Sequence, residues 1–244
     1  MPYAVNVITI LVVYFLKLVY FRYTFMSREE QKIMEKKLSK REANKIKKKE
    51  MIIDTAEKFF LQKSFDSISM DDISKESGFT KRTIYQYFTS KEDLFYAVAL
   101  KGSRQFISGC EAALEKGRNA LEKIRFLNKA YCQYYIDNPG MFRIINYQPD
   151  NMLNCEASPN FHALGAFKNE LIRFYIDITV EGRSDGSINA KLDPRNAVYF
   201  GLLSSMGLLN IVSQMEGSLI WGNEGLDEGE FLRFSMDLLA DALK

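Results

Sequence analysis

Residues 69–95 read SMDDISKESGFTKRTIYQYFTSKEDLF, and this stretch decides the fold. Ser69 is followed three residues later by Asp72, which is the spacing of a capping box at the start of a helix. Gly78 suits the left-handed backbone position that ends a helix and turns the chain. The beginning of the stretch therefore predicts a short helix that is closed by a glycine turn.

Two more helix starts follow the turn. Thr80 predicts the N-cap of a helix over residues 81–88, and Ser90, with Asp93 three residues later, predicts the start of another. Because three capped starts fall within about twenty residues, the sequence predicts a compact helical cluster.

The side chains of this cluster divide into an inner and an outer set. Four apolar residues have the spacing to pin the helices together: Ile73, Phe79, Ile84 and Phe88. The remaining side chains of the helix over residues 81–88 are exposed or groove-facing: Lys81, Arg82, Thr83, Tyr85, Gln86 and Tyr87. Lys and Arg can donate to guanine and Gln can pair with adenine, while hydroxyls suit phosphate oxygens. The arrangement predicts a DNA-binding helix-turn-helix.

This stretch resembles the tetracycline-repressor (TetR) family, whose pattern it matches at twelve positions. The matching residues are Ile73, Gly78, Thr80, Ile84, Tyr85, Tyr87, Phe88, Ser90, Lys91, Glu92, Asp93 and Leu94. The sequence departs from the pattern at two packing positions, with Ser74 in place of alanine and Phe79 in place of valine. The resemblance covers residues 47–100, and behind them only the helix count and loop rhythm are similar.

The resemblance implies a role for each residue of the motif. Lys81, Arg82 and Tyr85 would face bases. The DNA backbone would be held by Ser69, Met70, Thr83, Gln86, Tyr87 and Lys91, and Thr80 completes the DNA-binding set. A structural alternative remains open, in which Tyr85 and Tyr87 are half-buried packing aromatics and Lys91 only solvates a helix start.

The rest of the chain predicts an all-α protein. Amphipathic segments cover residues 119–137, 161–180 and 228–243, and residues 195–215 are apolar almost all round. We expect a basic helical extension over 27–46, a DNA-binding domain over 47–100, and a helical effector-binding and dimerisation domain over 101–244. Residues 27–50 contain ten Lys/Arg against five Asp/Glu, a distribution typical of an arm that meets phosphate.

Aromatic and aliphatic residues at helical spacing in the carboxy-terminal domain are candidates for a ligand pocket. They are Tyr131, Tyr135, Phe142, Ile145, Phe167, Leu171, Phe174 and Tyr175. Core packing alone also explains such a stripe. In the family that this chain resembles, the corresponding domain usually encloses a mostly apolar small molecule, so the resemblance implies a small apolar effector.

Residues 1–26 form a hydrophobic segment, and residues 3–25 are long enough to span a membrane. Three interpretations stay open: translation begins at Met26 or Met34, the segment is a membrane anchor, or it is an additional packed helix. If the segment is a membrane anchor, the basic residues that follow it would keep the downstream part cytoplasmic.

The composition offers little material for catalysis. The chain has one histidine, His162, and three cysteines without a CxxC pair, which argues against a metal site, a catalytic triad or a disulfide framework. We expect no cofactor and no enzymatic activity. We expect instead a cytoplasmic homodimeric repressor that a small ligand releases from a palindromic DNA operator. The alternative is a DNA-binding interaction protein of the same fold that acts through a protein partner or a membrane anchor.

Overall fold

The computed structural model describes residues 40–147, 157–214 and 227–244. Its contacts divide the chain into two compact units, residues 1–51 and residues 52–244. The described part of the first unit, residues 40–51, is helical and mostly exposed. All the candidate site residues belong to the second unit, whereas the hydrophobic segment 1–26 lies outside the described residues.

The regular structure of the described residues is helical throughout, which confirms the predicted all-α fold. The helices are α1 (Lys40–Gln62), α2 (Met70–Ser77), α3 (Lys81–Tyr85), α4 (Lys91–Leu114), α5 (Ala120–Asp137), α6 (Pro139–Asn146), α7 (Pro159–Asp185), α8 (Pro194–Gln214) and α9 (Glu228–Asp241). A 3-10 turn, Phe65–Ser67, lies between α1 and α2.

The amino-terminal cluster closes around one apolar core. On α1, Ile52, Ala56 and Phe60 recur every fourth residue and are at most 3% exposed. They join Ile73 and Ile84, which are fully buried, as the sequence predicted. Each buried isoleucine or phenylalanine side chain stabilises the fold by about 1.5–3 kcal/mol. The short helices α2 and α3 therefore depend on packing more than on their own helix propensity.

The long helix α4 joins this cluster to the body of the protein. It begins beside the DNA-binding motif and packs further along against α5, α6 and α7. Behind it, α5 packs against α9, and α8 packs against α7 and α9. The helix that starts after Ser90 is therefore continuous from the DNA-binding motif into the body.

Two local details of the body concern helix ends. Helix α7 continues beyond the amphipathic segment 161–180 to Asp185 and ends at Gly186 (φ 78°). Ile188 packs against Gly182 where a Cβ would otherwise be, so the loop after the helix folds back onto it. Asn138 occupies the N-cap position of α6, but its amide donates to the Tyr134 carbonyl (3.4 Å) instead of capping the helix.

A buried carboxylate fastens the start of α4 to the start of α7. Asp93 is 1% exposed and accepts hydrogen bonds from the Thr89 N–H (3.0 Å), the Ser158 hydroxyl (2.8 Å) and the Asn160 N–H (2.9 Å) and side-chain amide (2.8 Å). Ser90 caps α4 as predicted, accepting from the Asp93 N–H (3.1 Å), but the Asp93 carboxylate also serves a second helix.

The hydrogen bonds decide the charge of this carboxylate. Burial by itself raises the pKa of Asp93, but the donors on Asn160, Thr89 and Ser158 outweigh it and hold the pKa below its ordinary value. Asp93 is therefore ionised at neutral pH, and its charge faces the amino-terminal end of α7, where the helix dipole is positive.

We predict that Asp93→Asn lowers the free energy of unfolding by about 1–3 kcal/mol, because the amide group cannot accept from all these donors. Since the folded state lowers the pKa of Asp93, this stabilisation is complete above the ordinary pKa and disappears as the pH falls through the lowered one. Urea unfolding at several pH values measures both effects. Asp177→Asn, at an exposed position of α7, is the matched control and should change stability by less than about 0.5 kcal/mol.

Candidate nucleic-acid interface and ligand cavity

The start of α2 and the turn that follows it have the predicted geometry. The Ser69 hydroxyl accepts from the Asp72 N–H (3.2 Å), and the Asp72 carboxylate accepts from the Ser69 N–H (2.9 Å), which completes the capping box. Gly78 has φ 71°, the left-handed conformation expected of it. The turn between α2 and α3 is thus set by local chemistry.

Ser74, one of the two departures from the family pattern, has a specific partner. Its hydroxyl donates to the Phe79 carbonyl at 2.7 Å, across the turn that Gly78 makes. An alanine has no such donor, so Ser74 adds a hydrogen bond between α2 and the chain that leads into α3. The departure therefore supports the orientation of the two helices.

Helix α3 is shorter than predicted. Thr80 caps it by accepting from the Thr83 N–H (3.2 Å), but the α-helix ends at Tyr85 and not at Phe88. The N–H groups of Tyr87 and Phe88 both donate to the Ile84 carbonyl (2.9 and 3.0 Å), which tightens the last turn. Phe88 is 1% exposed, and the tight turn carries its ring into the core.

The outer face of α3 carries the side chains expected to read bases. Lys81, Arg82 and Gln86 are exposed, and the Tyr85 ring is 50% exposed. Two cations, a phenol and an amide therefore share a helix whose inner side is fixed by Ile84. This combination offers hydrogen-bond donors to guanine and paired donor and acceptor groups to adenine.

Lys81 is held by an ion pair in the absence of DNA. Its ammonium lies 2.6 Å from the Asp71 carboxylate, and both side chains are largely exposed. Hydrogen bonding to Asp71 raises the pKa of Lys81, so the side chain is protonated and positively charged at neutral pH. Because exposed pairs of this kind are weak, the ammonium is free to exchange Asp71 for an acceptor on DNA.

Three residues of the predicted backbone-contacting set are partly committed to the protein. Met70 is 8% exposed and belongs to the core, because it lies on the inner side of the first turn of α2. Tyr87 is half-buried against the same core. The Thr83 hydroxyl shares a hydrogen bond with the Thr80 hydroxyl (2.9 Å), while Ser69 remains exposed at the start of α2.

Lys91 has a different position from the one expected of a phosphate contact. Its ammonium donates to the carbonyls of Phe65 and Ile68, both at 2.9 Å, and lies 4.1 Å from the centroid of the Phe65 ring. It therefore fastens the chain between α1 and α2 to the start of α4. These partners lie 26 and 23 residues earlier in the chain, so no local sequence pattern indicates them.

A cavity of about 190 Å³ lies in the body and is lined by α4, α5, α6, α7, α8 and α9. Five of the eight predicted pocket residues line it: Tyr131, Ile145, Phe167, Leu171 and Tyr175. The opposite wall comes from α8 and includes Val198, Phe200 and Leu202. The lining is mostly apolar, as the aromatic stripe suggested.

The other three predicted pocket residues pack elsewhere. Tyr135 and Phe142 meet edge to face, with ring centroids 5.0 Å apart, inside a core cluster that includes α9. Phe174 packs beside the Tyr175 ring (6.2 Å) in another cluster and does not line the cavity. The helical spacing alone did not distinguish these packing positions from lining positions.

The sequence interpretation missed one charged residue of the cavity. Lys168 lines it, one residue after Phe167 and three before Leu171. A lysine within the apolar stripe of α7 was a visible signal, since a solvent-facing lysine belongs on the opposite side of an amphipathic helix. Burial lowers the pKa of Lys168.

Other ionisable groups around the cavity are kept neutral by burial. Burial raises the pKa of the Tyr131 and Tyr175 hydroxyls, and it raises the pKa of the nearby Cys110 thiol to about 12. Cys110 and Cys132 are free and buried, so neither is an accessible nucleophile. No group of three or more metal-ligating side chains was found in the ranges that the structure describes.

Comparison with known proteins supports the DNA-binding assignment. The sequence profile of bacterial regulatory proteins of the tetR family matches residues 52–98. The HTH-type transcriptional regulator SAB2452 of Staphylococcus aureus is 28% identical over 146 residues, which cover 60% of this chain and 73% of that protein.

Solved structures share the fold over most of the chain. The fatty acid degradation regulator FadR from Bacillus halodurans superposes with a TM-score of 0.62 and 16% identity, covering 79% of this chain and 94% of its own. FadR from Bacillus subtilis, solved with stearoyl-CoA, gives a TM-score of 0.60 and 18% identity over 80% of this chain and 98% of its own. The profile match and the capped helix-turn-helix identify residues 52–98 as a DNA-binding domain of the tetracycline-repressor (TetR) family of bacterial regulatory proteins.

Proposed function

We propose that this chain is a homodimeric repressor that binds a palindromic operator through α2 and α3 and leaves it when a small, largely apolar ligand enters the body. The observation that carries the proposal is the exposed face of α3. Lys81, Arg82, Tyr85 and Gln86 project from a helix whose start and inner side are fixed. Such a helix suits the major groove, where base edges distinguish all four base pairs.

A second copy of the chain is the partner that suits α8 and α9. Their outer side chains are largely exposed, with Leu203 at 66%, Ile211 at 58%, Phe234 at 65% and Leu238 at 59%. By length and composition, α8 is apolar enough to span a membrane. Only 22% of its most apolar stretch is buried within the chain, so much of this apolar surface lacks cover. Two antiparallel pairs, related by a two-fold axis, would cover these side chains as a four-helix bundle.

The dimer would also let two copies of the recognition helix act on one operator. Two copies of α3 related by a two-fold axis would enter successive major grooves about 34–36 Å apart and read the two halves of a palindrome. We expect this DNA-binding role to be carried out in the cytoplasm.

The cavity is the proposed effector site. It is enclosed by helices that connect with α4, and α4 is continuous with the DNA-binding motif. A ligand that binds more tightly to the DNA-incompetent form must lower the affinity for DNA by the same factor. FadR from Bacillus subtilis was solved with stearoyl-CoA, which is consistent with an apolar effector for this fold.

We predict that Arg82→Ala weakens binding to the selected operator by about 1–3 kcal/mol and relaxes base preference at one position of each half-site. Fluorescence anisotropy with operators selected from a random pool measures the effect. Arg173→Ala, which removes an exposed arginine from α7, should leave binding unchanged. An equal loss on all DNA sequences would assign Arg82 to the backbone.

We predict that Lys91→Met mainly lowers stability, by about 1.5–3 kcal/mol, because it removes charge-assisted hydrogen bonds to two carbonyls. At temperatures where the variant is folded, the salt dependence of operator binding should match that of the wild type. If Lys91 instead neutralises a phosphate, the slope of log K against log salt will fall by about one unit while stability stays unchanged.

We predict that Leu203→Asp converts the dimer into monomers, because a carboxylate would be buried in the proposed bundle. Light scattering at micromolar concentration measures the mass. Ile136→Asp, at an exposed apolar position of α5 (38% exposed), is the matched control and should remain dimeric. A well-folded wild-type monomer under these conditions would contradict the proposed dimer.

A further inference from the structure

Lys168 is the charged residue of the cavity. Among the described residues that line the cavity, it alone carries a charge, and the surrounding wall is aromatic and aliphatic. It projects from the same side of α7 as Leu171, Tyr175 and Thr179, which also line the cavity. An ammonium in such surroundings is costly unless it has partners.

Four other polar side chains of the lining donate hydrogen bonds to carbonyls inside the protein. Ser103 donates to the Ala99 carbonyl (2.8 Å), and Thr179 donates to the Tyr175 carbonyl (2.8 Å). The side-chain amides of Asn128 and Asn146 likewise donate to the carbonyls of Met236 (3.3 Å) and Phe142 (2.9 Å). The single hydroxyl donors of Ser103 and Thr179 are therefore already used inside the protein, and each asparagine has one amide donor engaged.

The Lys168 ammonium is different because it has capacity left. It donates to the Ile145 carbonyl at 2.9 Å, and within the described residues this is its one hydrogen bond. An ammonium has three N–H donors, so two of them have no acceptor among the described residues. No carboxylate in the described part of the chain lies within ion-pair distance of Lys168.

We propose that the effector is an amphiphilic anion, with a carboxylate that pairs with Lys168 and an apolar body that fills the aromatic part of the cavity. This inference rests on the proposed effector site and adds the chemical class of its ligand. A carboxylate would supply the charge and the acceptors that the ammonium lacks, in surroundings from which water is largely excluded. The lowered pKa of Lys168 is consistent with an ammonium that lacks a counter-ion.

The position of Ile145 connects the ligand to the DNA-binding domain. Ile145 lies in the last turn of α6, where the Lys168 ammonium satisfies a free carbonyl and faces the negative end of the helix dipole. A ligand carboxylate that accepts from the other two donors would draw the ammonium toward itself and away from that carbonyl. Binding would therefore weaken the bond that ties the end of α6 to α7.

Helix α6 contacts the amino-terminal cluster at several points. Met141 packs against Gly102 of α4 so closely that a Cβ there would collide with it. Just beyond α6, the Tyr147 ring meets those of Phe65 (5.9 Å) and Phe95 (5.1 Å), and Phe65 is the ring beneath Lys91. A shift at the end of α6 therefore reaches the segment that positions α2.

The test compares probes that share an apolar chain and differ in the head group. Decanoate and 1-decanol, each below its aggregation concentration, are titrated into the full chain by calorimetry. Wild type should bind decanoate at least about tenfold more tightly than 1-decanol, as expected for hydrogen bonds to a charged partner. Lys168→Met should lose this preference and keep its affinity for 1-decanol, whereas Lys168→Arg should retain the preference.

Lys116→Met removes an exposed lysine near the end of α4 and should behave as wild type. Equal affinity of the wild type for both probes, failure of both to bind, or an unchanged preference in a folded Lys168→Met variant would each overturn the inference. Operator release is measured in parallel by anisotropy. If 1-decanol releases DNA as well as decanoate does, the proposal of a ligand-responsive repressor is supported, and only the proposal of an anionic effector is contradicted.

Discussion

The contact on which the two halves of this protein depend is the buried Asp93 carboxylate. It lies in the first turn of α4, directly after the helix-turn-helix, and accepts from Ser158 and Asn160 at the first turn of α7. A buried charge persists only with partners that match it, so the two helix starts are held at fixed separation. Helix α7 also carries Phe167, Lys168 and Leu171 of the cavity, which connects the cavity wall directly to the DNA-binding domain.

This arrangement gives the cavity two routes to the DNA-binding helices. One runs along α7 to Asp93, and the other runs from Lys168 through the Ile145 carbonyl and α6 to the aromatic rings beside Lys91. Helices α6 and α7 thus connect the two halves together with α4, so a ligand can change the orientation of α4 by acting on the helices that fasten it as well as on α4 itself.

The parts of the fold that could be predicted from the sequence depend on local interactions. The capping box of Ser69 and Asp72, the left-handed Gly78 and the Thr80 cap each involve residues within a few positions of one another. The cavity depends on residues far apart in the chain. Helical spacing placed Phe174 and Tyr175 on one stripe, but only the packing of α5 and α8 decides that Tyr175 lines the cavity and Phe174 does not.

Helix α8 links the effector site to the proposed dimer. Val198 and Leu202 line the cavity, whereas Leu203 and Ile211 face outward with more than half of their surface exposed. Phe200 contributes to both surfaces, since it lines the cavity and is 54% exposed. A ligand that displaces this side chain acts on a helix whose outer face meets the partner subunit in the proposed bundle. Because the operator would be read by two copies of α3, a small rotation at that interface changes the spacing on which binding to successive grooves depends.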